Sequence, residues 1–288
     1  YRDYRIQKAF IFLGGGANGK STLINLIGYL LGEENISSRS LQDLHNDRFA
    51  AADLYGKLAN LYADLSTSAL KQTGIFKMVT GGDYLKGERK FQGAFSFKNH
   101  AKLFFSANQL PQVGDDTDAF FRRWIIINFP NKFEGERADK NILKKLTTPE
   151  ELKGLLVLAV HGLRDLLNRG DFAKNPSTEE IRFYYTRASD PTKAFVEECL
   201  ERDPEGTIPK EDLYQIYVEY CQEIGMPPDA KNIFSMRLYE HAPYIKEFRG
   251  VKEGGAREGR VSMWKGVRVV KVVRATIPKG SLEKNHIK

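Results

Sequence analysis

Cysteine is scarce. Cys199 and Cys221 are the two in 288 residues, too few for a disulfide framework, and that scarcity reads as an intracellular, cytoplasmic chain. Long apolar runs are missing too: no stretch approaches the ~18 to 20 residues a spanning helix needs, and the opening Tyr-Arg-Asp-Tyr-Arg is not a signal peptide. A membrane role is therefore not expected. Nor is there an internal repeat, and His45, His100, His161, His241 and His286 share no ligand spacing with the cysteines, so no zinc site is expected. Met does not stand first and a strand-like run begins within a few residues, so the sequence reads as a piece of a longer polypeptide.

Over most of its length the chain has no excess of either charge. Of its 44 Lys and Arg and 37 Asp and Glu, 12 cations and only 4 acids fall in residues 244–288, which leaves residues 1–243 almost neutral. A basic end on a balanced protein points to a polyanion such as nucleic acid. The 41% hydrophobic and 28% charged content is that of a soluble globular protein. At ~100 to 200 residues per domain, the length suggests two domains.

Lys8 to Leu13 is a short apolar run ending in glycines, and Ser21 to Leu31 carries apolar residues at helical spacing before Gly32. Strand, glycine loop and helix are expected in that order. Strand-like runs recur at Lys57 to Ala63, Ala101 to Ala107 and Trp124 to Phe129, the pattern of an α/β sheet with crossovers. From about 139 to 189 the period becomes helical, clearest at Glu150 to Asn168 before Gly170, and suggests a lid or connector. Ser189-Asp190-Pro191 marks a boundary. Beyond it come helices at Lys193 to Glu201, Lys210 to Ile224 and Asp229 to His241, with Thr207-Ile208-Pro209 extended. A glycine-rich loop, Gly250 to Gly259, then separates Tyr244 to Phe248 from Val261 to Val273, the order expected of a winged helix-turn-helix. The domains read as 1–138, 139–189 and 190–288.

The strongest chemical signal is Gly14-Gly15-Gly16-Ala17-Asn18-Gly19-Lys20-Ser21-Thr22, which fits G-x-x-x-x-G-K-[ST]. Glycines let successive backbone N–H groups turn toward phosphate oxygens without obstruction from a Cβ. Lys20 would reach the β and γ phosphates of ATP and the Ser21 hydroxyl would ligate Mg²⁺. Asp64, after the second strand-like run, is the candidate acid for metal or water. Asn108, after the third, could sense the γ-phosphate and orient water. Arg122 and Arg123 open the fourth, where a guanidinium could enter a neighbour's site or simply form a surface ion pair. In the second domain, Lys231, Arg237, Arg249, Arg257 and Arg260 are candidates for DNA contact. Cys199 and Cys221, with Tyr214, Tyr217, Tyr220 and Phe234, read as core.

Together G-G-G-A-N-G-K-S-T, A-N-L-Y-A-D-L-S, M-V-T-G-G-D-Y-L-K-G-E-R-K, F-F-S-A-N-Q-L-P and D-A-F-F-R-R-W resemble the superfamily 3 helicases of the AAA+ class. The likeness is greatest to the C-terminal region of phage and plasmid primase-helicases and to poxvirus-type NTPases. It extends more loosely through S-D-P-T-K-A-F-V-E-E and P-K-E-D-L-Y-Q-I-Y-V-E-Y. The resemblance implies a P-loop AAA+ core with a mostly parallel sheet. Lys20, Ser21 and Asp64 match its Mg-ATP residues, Asn108 its sensor, and the Arg122-Arg123 pair its arginine-finger region. Lys77 to Lys90, with Lys86, Arg89 and Lys90, matches its pore-lining DNA segment. The activity implied is that of an ATP-dependent DNA helicase replicating a phage, plasmid or virus. Such a motor works as a ring, expected to be a hexamer, on single-stranded DNA, with a primase domain upstream. Another reading is an ATP-switched, DNA-binding initiator that unwinds little, and a more distant one is a packaging motor.

Overall fold

The apolar run before the glycines forms strand β1 (Ala9–Leu13), four of whose five residues are buried. A parallel strand covered on both faces has no reason to alternate polar and apolar residues, which is why the run is continuous. The computed structural model describes residues 1–270 apart from 69, 71–72, 116 and 252–259. The chain divides into two units, Tyr1–Tyr185 and Thr186–Lys288.

In the first unit, β1 leads through the glycine loop into α1 (Lys20–Leu31), which Gly32 ends. There follow β2 (Ile36–Ser37), α2 (Leu41–Asn46), β3 (Ala59–Tyr62), α3 (Gly74–Val79), a hairpin of β4 (Tyr84–Gly87) and β5 (Phe95–Lys98), and β6 (Lys102–Ala107). The short α4 (Asp118–Phe121), β7 (Trp124–Asn128), α5 (Ile142–Leu146), α6 (Pro149–Arg169) and α7 (Thr178–Ser189) complete it, and α7 carries the chain into the second unit. The central sheet runs β2-β3-β6-β1-β7, parallel throughout. All four expected strand runs lie in it. The two-residue edge strand β2 was not expected, being too short to carry a period.

Alternation along β6 sends Phe104 and Phe105 to opposite faces. Phe104 joins Phe12, Ile24, Leu61 and Ile27 beneath α1. Phe105 meets the other layer, where Trp124 stacks on Phe76 at 4.4 Å, Phe120 packs edge-on against Trp124, and Tyr185 packs edge-on against Phe120. The long helix α6, capped by Thr148 and ended by Gly170 in the left-handed region, has no buried residue and leaves Leu156, Leu158 and Val160 exposed.

The second unit contains α8 (Pro191–Cys199), β8 (Leu200–Pro209), α9 (Lys210–Glu223), α10 (Lys231–His241), β9 (Lys246–Val251) and β10 (Arg260–Val269). Its sheet is antiparallel in the order β8-β10-β9. The core joins Phe195, Cys199, Leu213, Tyr217, Cys221, Phe234, Leu238 and Trp264, and burial pushes both thiols up to about 12. The extended segment is longer than Thr207 to Pro209. Leu200 to Pro209 is charged and contains Pro204 and Gly206, poor strand formers, but pairing with β10 supplies what local propensity lacks. That pairing ends α8 at Cys199 rather than Glu201. The last helix starts at Lys231 because Asp229 is engaged elsewhere, as described below. Arg257, the end of the run expected to reach Val273 and the basic tail lie outside the described residues.

Candidate nucleotide site and basic hairpin

The loop between β1 and α1 leaves the C-terminal edge of the sheet from its interior, where β6 and β7 flank β1. That edge is where open α/β sheets gather their ligands. Two glycines are required by geometry. A Cβ on Gly14 would stand 2.4 Å from Asn18 Nδ2 and 2.5 Å from the Phe129 carbonyl, and Gly19, which precedes α1, has φ +88°. Ala17 also lies in the left-handed region, at φ +56°, and its carbonyl accepts the Phe133 N–H at 2.8 Å. Gly16 has open space around it. Gly15, with Gly16, completes the loop, and Ser21 and Thr22 open the helix, whose first N–H groups have no intrahelical acceptor.

Lys20 is buried. Its Nζ donates to the Gly14 carbonyl at 2.5 Å, to Asn18 Oδ1 at 2.9 Å and to Asn108 Oδ1 at 3.2 Å, while Asn18 Nδ2 donates to the Phe129 carbonyl at 3.1 Å. All three acceptors are neutral. Burial lowers the Lys20 pKa and the nearby Asp64 charge opposes that shift. A buried ammonium with no carboxylate bonded to it is costly, and an anion entering the loop would relieve the cost. The residues thus fit a phosphate chain, and Ser21 with Asp64, both exposed, offers the oxygen ligands a divalent cation takes.

Asp64 follows β3 with φ +70°, unusual for a residue bearing a Cβ. Ser106 on β6 holds it there: its Oγ accepts the Asp64 N–H at 3.2 Å and its carbonyl the Leu65 N–H at 2.7 Å. Sequence reasoning missed Ser106, whose role depends on β3 and β6 being neighbours. The sequence marks Asn18 only as a loop position. Its part in bridging Lys20 to Phe129 emerges from the fold.

The arginine pair lies elsewhere. Arg122 and Arg123 precede β7, whose Trp124 pairs with Ala9, so they sit at the N-terminal edge while the P-loop sits at the C-terminal one. Five residues of strand separate the two edges, about 16 Å. Arg122 is exposed, and its Nη2 donates to Gln7 Oε1 at 2.8 Å. Arg123 is 7% exposed, donates to the Ala119 carbonyl, and has its pKa lowered by burial.

Of Lys77 to Lys90, the structure puts Lys77 in α3 and only Tyr84 to Gly87 in a strand; the hairpin runs on to Lys98. Asn99 secures its base, donating to the Val79 carbonyl at 2.8 Å and accepting the Ala101 N–H at 3.0 Å. Lys86 pairs with Glu88 at 2.6 Å, and the exposed Arg89 and Lys90 stand in the turn. In the second unit, Lys231 pairs with Glu211. The Arg237 Nη1 reaches both Asp229 oxygens, at 3.0 and 2.9 Å, with Asp190 3.9 Å away. Asp229 also accepts from Thr192 at 2.8 Å. Arg249 and Arg260 are exposed near the end of the β9–β10 ladder at which Val251 pairs with Arg260.

A strand, glycine loop and helix in the middle of a parallel sheet, with an acid after β3 and an amide after β6, make the first unit an α/β fold with its candidate site at the C-terminal edge of the sheet. A family of unknown function (DUF5906) matches residues 12–123, and the Poxvirus D5 protein-like family matches residues 187–259. Viral proteins named "Putative helicase" are similar over most of the chain. That of Acanthamoeba polyphaga mimivirus (L207/L206) is 28% identical over 83% of this chain and 28% of its own length. That of Sputnik virophage (V13) is 21% identical over 92% and 35%, and that of Frog virus 3 (022R) 24% identical over 72% and 23%. The chain therefore spans only about a quarter to a third of the curated relatives it matches. Among solved structures, the apo A form of the NrS-1 C-terminal region is 15% identical, covering 91% of this chain and 67% of that one with a TM-score of 0.41. JCV helicase bound to a thiazolopyridine acetamide is 16% identical over 63% and 56%, with a TM-score of 0.36.

Proposed function

We propose that this chain is the ATP-driven motor part of a viral-type DNA helicase of superfamily 3, acting in replication. The observation that carries the reading is Lys20, buried among neutral acceptors and joined to Asn108 on the next strand, a cation placed for a triphosphate. The viral relatives that bear helicase names support it. ATP would lie along Gly14 to Thr22, with Mg²⁺ held by Ser21 and Asp64 and spreading the charge that develops between the β and γ phosphates. Lys20 would leave its carbonyl acceptors for phosphate oxygens, and Asn108, released from Lys20, would orient water.

Arg122 is the arginine we assign to a neighbouring subunit's site, because it is exposed and its own P-loop is on the far edge of the sheet. The proposal therefore includes a homo-oligomeric ring, hexameric by family resemblance, with single-stranded DNA gripped by Lys86, Arg89 and Lys90. The helix, strand, two helices and hairpin of the second unit support a winged helix that meets DNA through Arg249 and Arg260 rather than through the ion-paired Lys231 and Arg237. A primase domain elsewhere in the full polypeptide belongs to the same reading.

The test is ATP hydrolysis against protein concentration, with and without single-stranded DNA, for wild type, Arg122→Ala and Arg123→Ala. Specific activity is expected to rise with concentration and with DNA, and to collapse in Arg122→Ala without loss of fold. Concentration-independent or absent hydrolysis with tight, sequence-preferring duplex binding would favour the ATP-switched initiator.

A further inference from the structure

The basic hairpin carries a residue that its role in holding phosphates does not explain. Phe91, at its turn, is 104% exposed and has φ +63°. A left-handed backbone disfavours a bulky side chain, and exposure forgoes the burial that an aromatic ring ordinarily gains, so the position works against folding twice. Apolar neighbours are not lacking. On the same hairpin, Phe95 and Phe97 pack edge-on against Tyr55 with centroids 5.0 and 5.4 Å away, and the Phe95 ring lies across Gly87. Phe91 alone of the three is presented to solvent.

Its surroundings are cationic. An open cleft of about 560 Å³ is lined by Phe91 with Arg48, Lys86, Arg89, Lys90 and Gln92. Glu88 is ion-paired with Lys86 at 2.6 Å and with Arg48 at 3.6 Å, leaving Arg89 and Lys90 as the charges beside the ring that meet no carboxylate among the described ion pairs. The Arg89 guanidinium lies 5.5 Å from the Phe95 centroid, along the hairpin stem. A bare aromatic face next to exposed cations matches a polymer that offers a flat apolar surface and a phosphate at each repeat, which is single-stranded nucleic acid with its bases unstacked.

We propose that Phe91 is a base-stacking residue: it inserts between unpaired bases while Arg89 and Lys90 hold the adjoining phosphates, with Arg48 and Lys86 adding positive charge from their pairs with Glu88. The inference rests on the reading of this hairpin as the DNA-contacting element and adds to it a requirement for bases, not only for backbone charge. Any base has a π face, so the contact is indifferent to sequence and absent from intact duplex.

The experiment compares, by fluorescence anisotropy on the whole chain, an oligothymidylate of about 20 nucleotides with an abasic strand of the same length and charge. Wild type is expected to bind the base-bearing strand about tenfold more tightly. Phe91→Ala should bring the ratio close to one without weakening the abasic strand, Phe91→Tyr should restore it, and Lys86→Ala with Lys90→Ala should weaken both strands alike. A second readout needs no activity. Trp124 and Trp264 are buried, so the indole introduced by Phe91→Trp reports on the turn, and its fluorescence should be quenched by the thymidylate and not by the abasic strand. Equal wild-type affinity for the two strands, or a full preference retained in Phe91→Ala, overturns the stacking and leaves the phosphate-holding hairpin intact. A ring that instead enters anionic vesicles would give that same equality. No binding of either strand overturns both the stacking and the DNA-contacting reading beneath it.

Discussion

Lys20 is the residue on which the proposed nucleotide site turns, because three neutral oxygens take up its donors and a phosphate would replace them. Lys20→Ala is expected to lower hydrolysis by ~100-fold or more, measured as phosphate release, with the far-ultraviolet spectrum unchanged. Ser106 acts one step further back, fixing the left-handed Asp64. Ser106→Ala should reduce kcat by about tenfold and leave nucleotide Kd nearly unaltered, since only the acid's position is disturbed; a matching rise in Kd would contradict that role. Lys102, at the start of β6, lies 4.1 Å from the Tyr4 ring centroid and donates to the His100 carbonyl at 3.2 Å, and burial depresses its pKa to about 8, which the Asp3 charge only partly opposes. Unfolded, it titrates near ~10.4. Between these values the unfolded chain holds the extra proton, so stability should rise with pH from about 8 to ~10.4. Below pH 8 both states are protonated and the cost is constant. Chemical denaturation across that range should show the rise in wild type and lose this component in Lys102→Met.

At the scale of elements, the hairpin is an insertion between the two strands that carry Asp64 and Asn108: β3 leads to α3, then β4 and β5, then β6. One base of it is held by Asn99 and the other adjoins α3, where Thr80 bonds back to the Phe76 carbonyl at 2.7 Å. Lys86→Ala with Lys90→Ala is expected to spare basal hydrolysis and abolish its stimulation by DNA. Removing Arg89 as well should flatten the salt dependence of single-strand binding by about 2 in the log–log slope, at ~0.7 per phosphate neutralised. The glycines, cations and order of this segment were readable from the sequence. Its boundaries were not, since α3 runs to Val79 and each hairpin strand, Tyr84 to Gly87 and Phe95 to Lys98, is only four residues long, too short for its period to stand out. The same holds for β8, a strand made by its partner β10.

For the whole molecule, the two units have separate cores, one around a parallel sheet and one around Phe195, Tyr217, Phe234 and Trp264. Phe195→Ala should cost the second unit about 3–5 kcal/mol, visible as an early unfolding transition, while nucleotide binding by the first unit persists. Within the first unit, the strand–loop–helix at Gly14 to Thr22 was legible from the sequence because its demands are local: a backbone without Cβ atoms, an amphipathic helix after it and an apolar strand before it. The strand runs bearing Asp64 and Asn108 were legible too, as continuous apolar stretches. What required the folded chain was everything that depends on which distant segments become neighbours. Strand order sets Ser106 beside Asp64 and Asn108 against Lys20; parallel pairing sends Arg122 and Arg123 to the edge opposite the P-loop; packing buries one of that pair and exposes the other. In the second unit it gives Arg237 to Asp229, and in the hairpin it covers Phe95 and leaves Phe91 bare. A side chain's type is written in the sequence, whereas its burial and its partner's charge are properties of the neighbours that tertiary contacts bring to it.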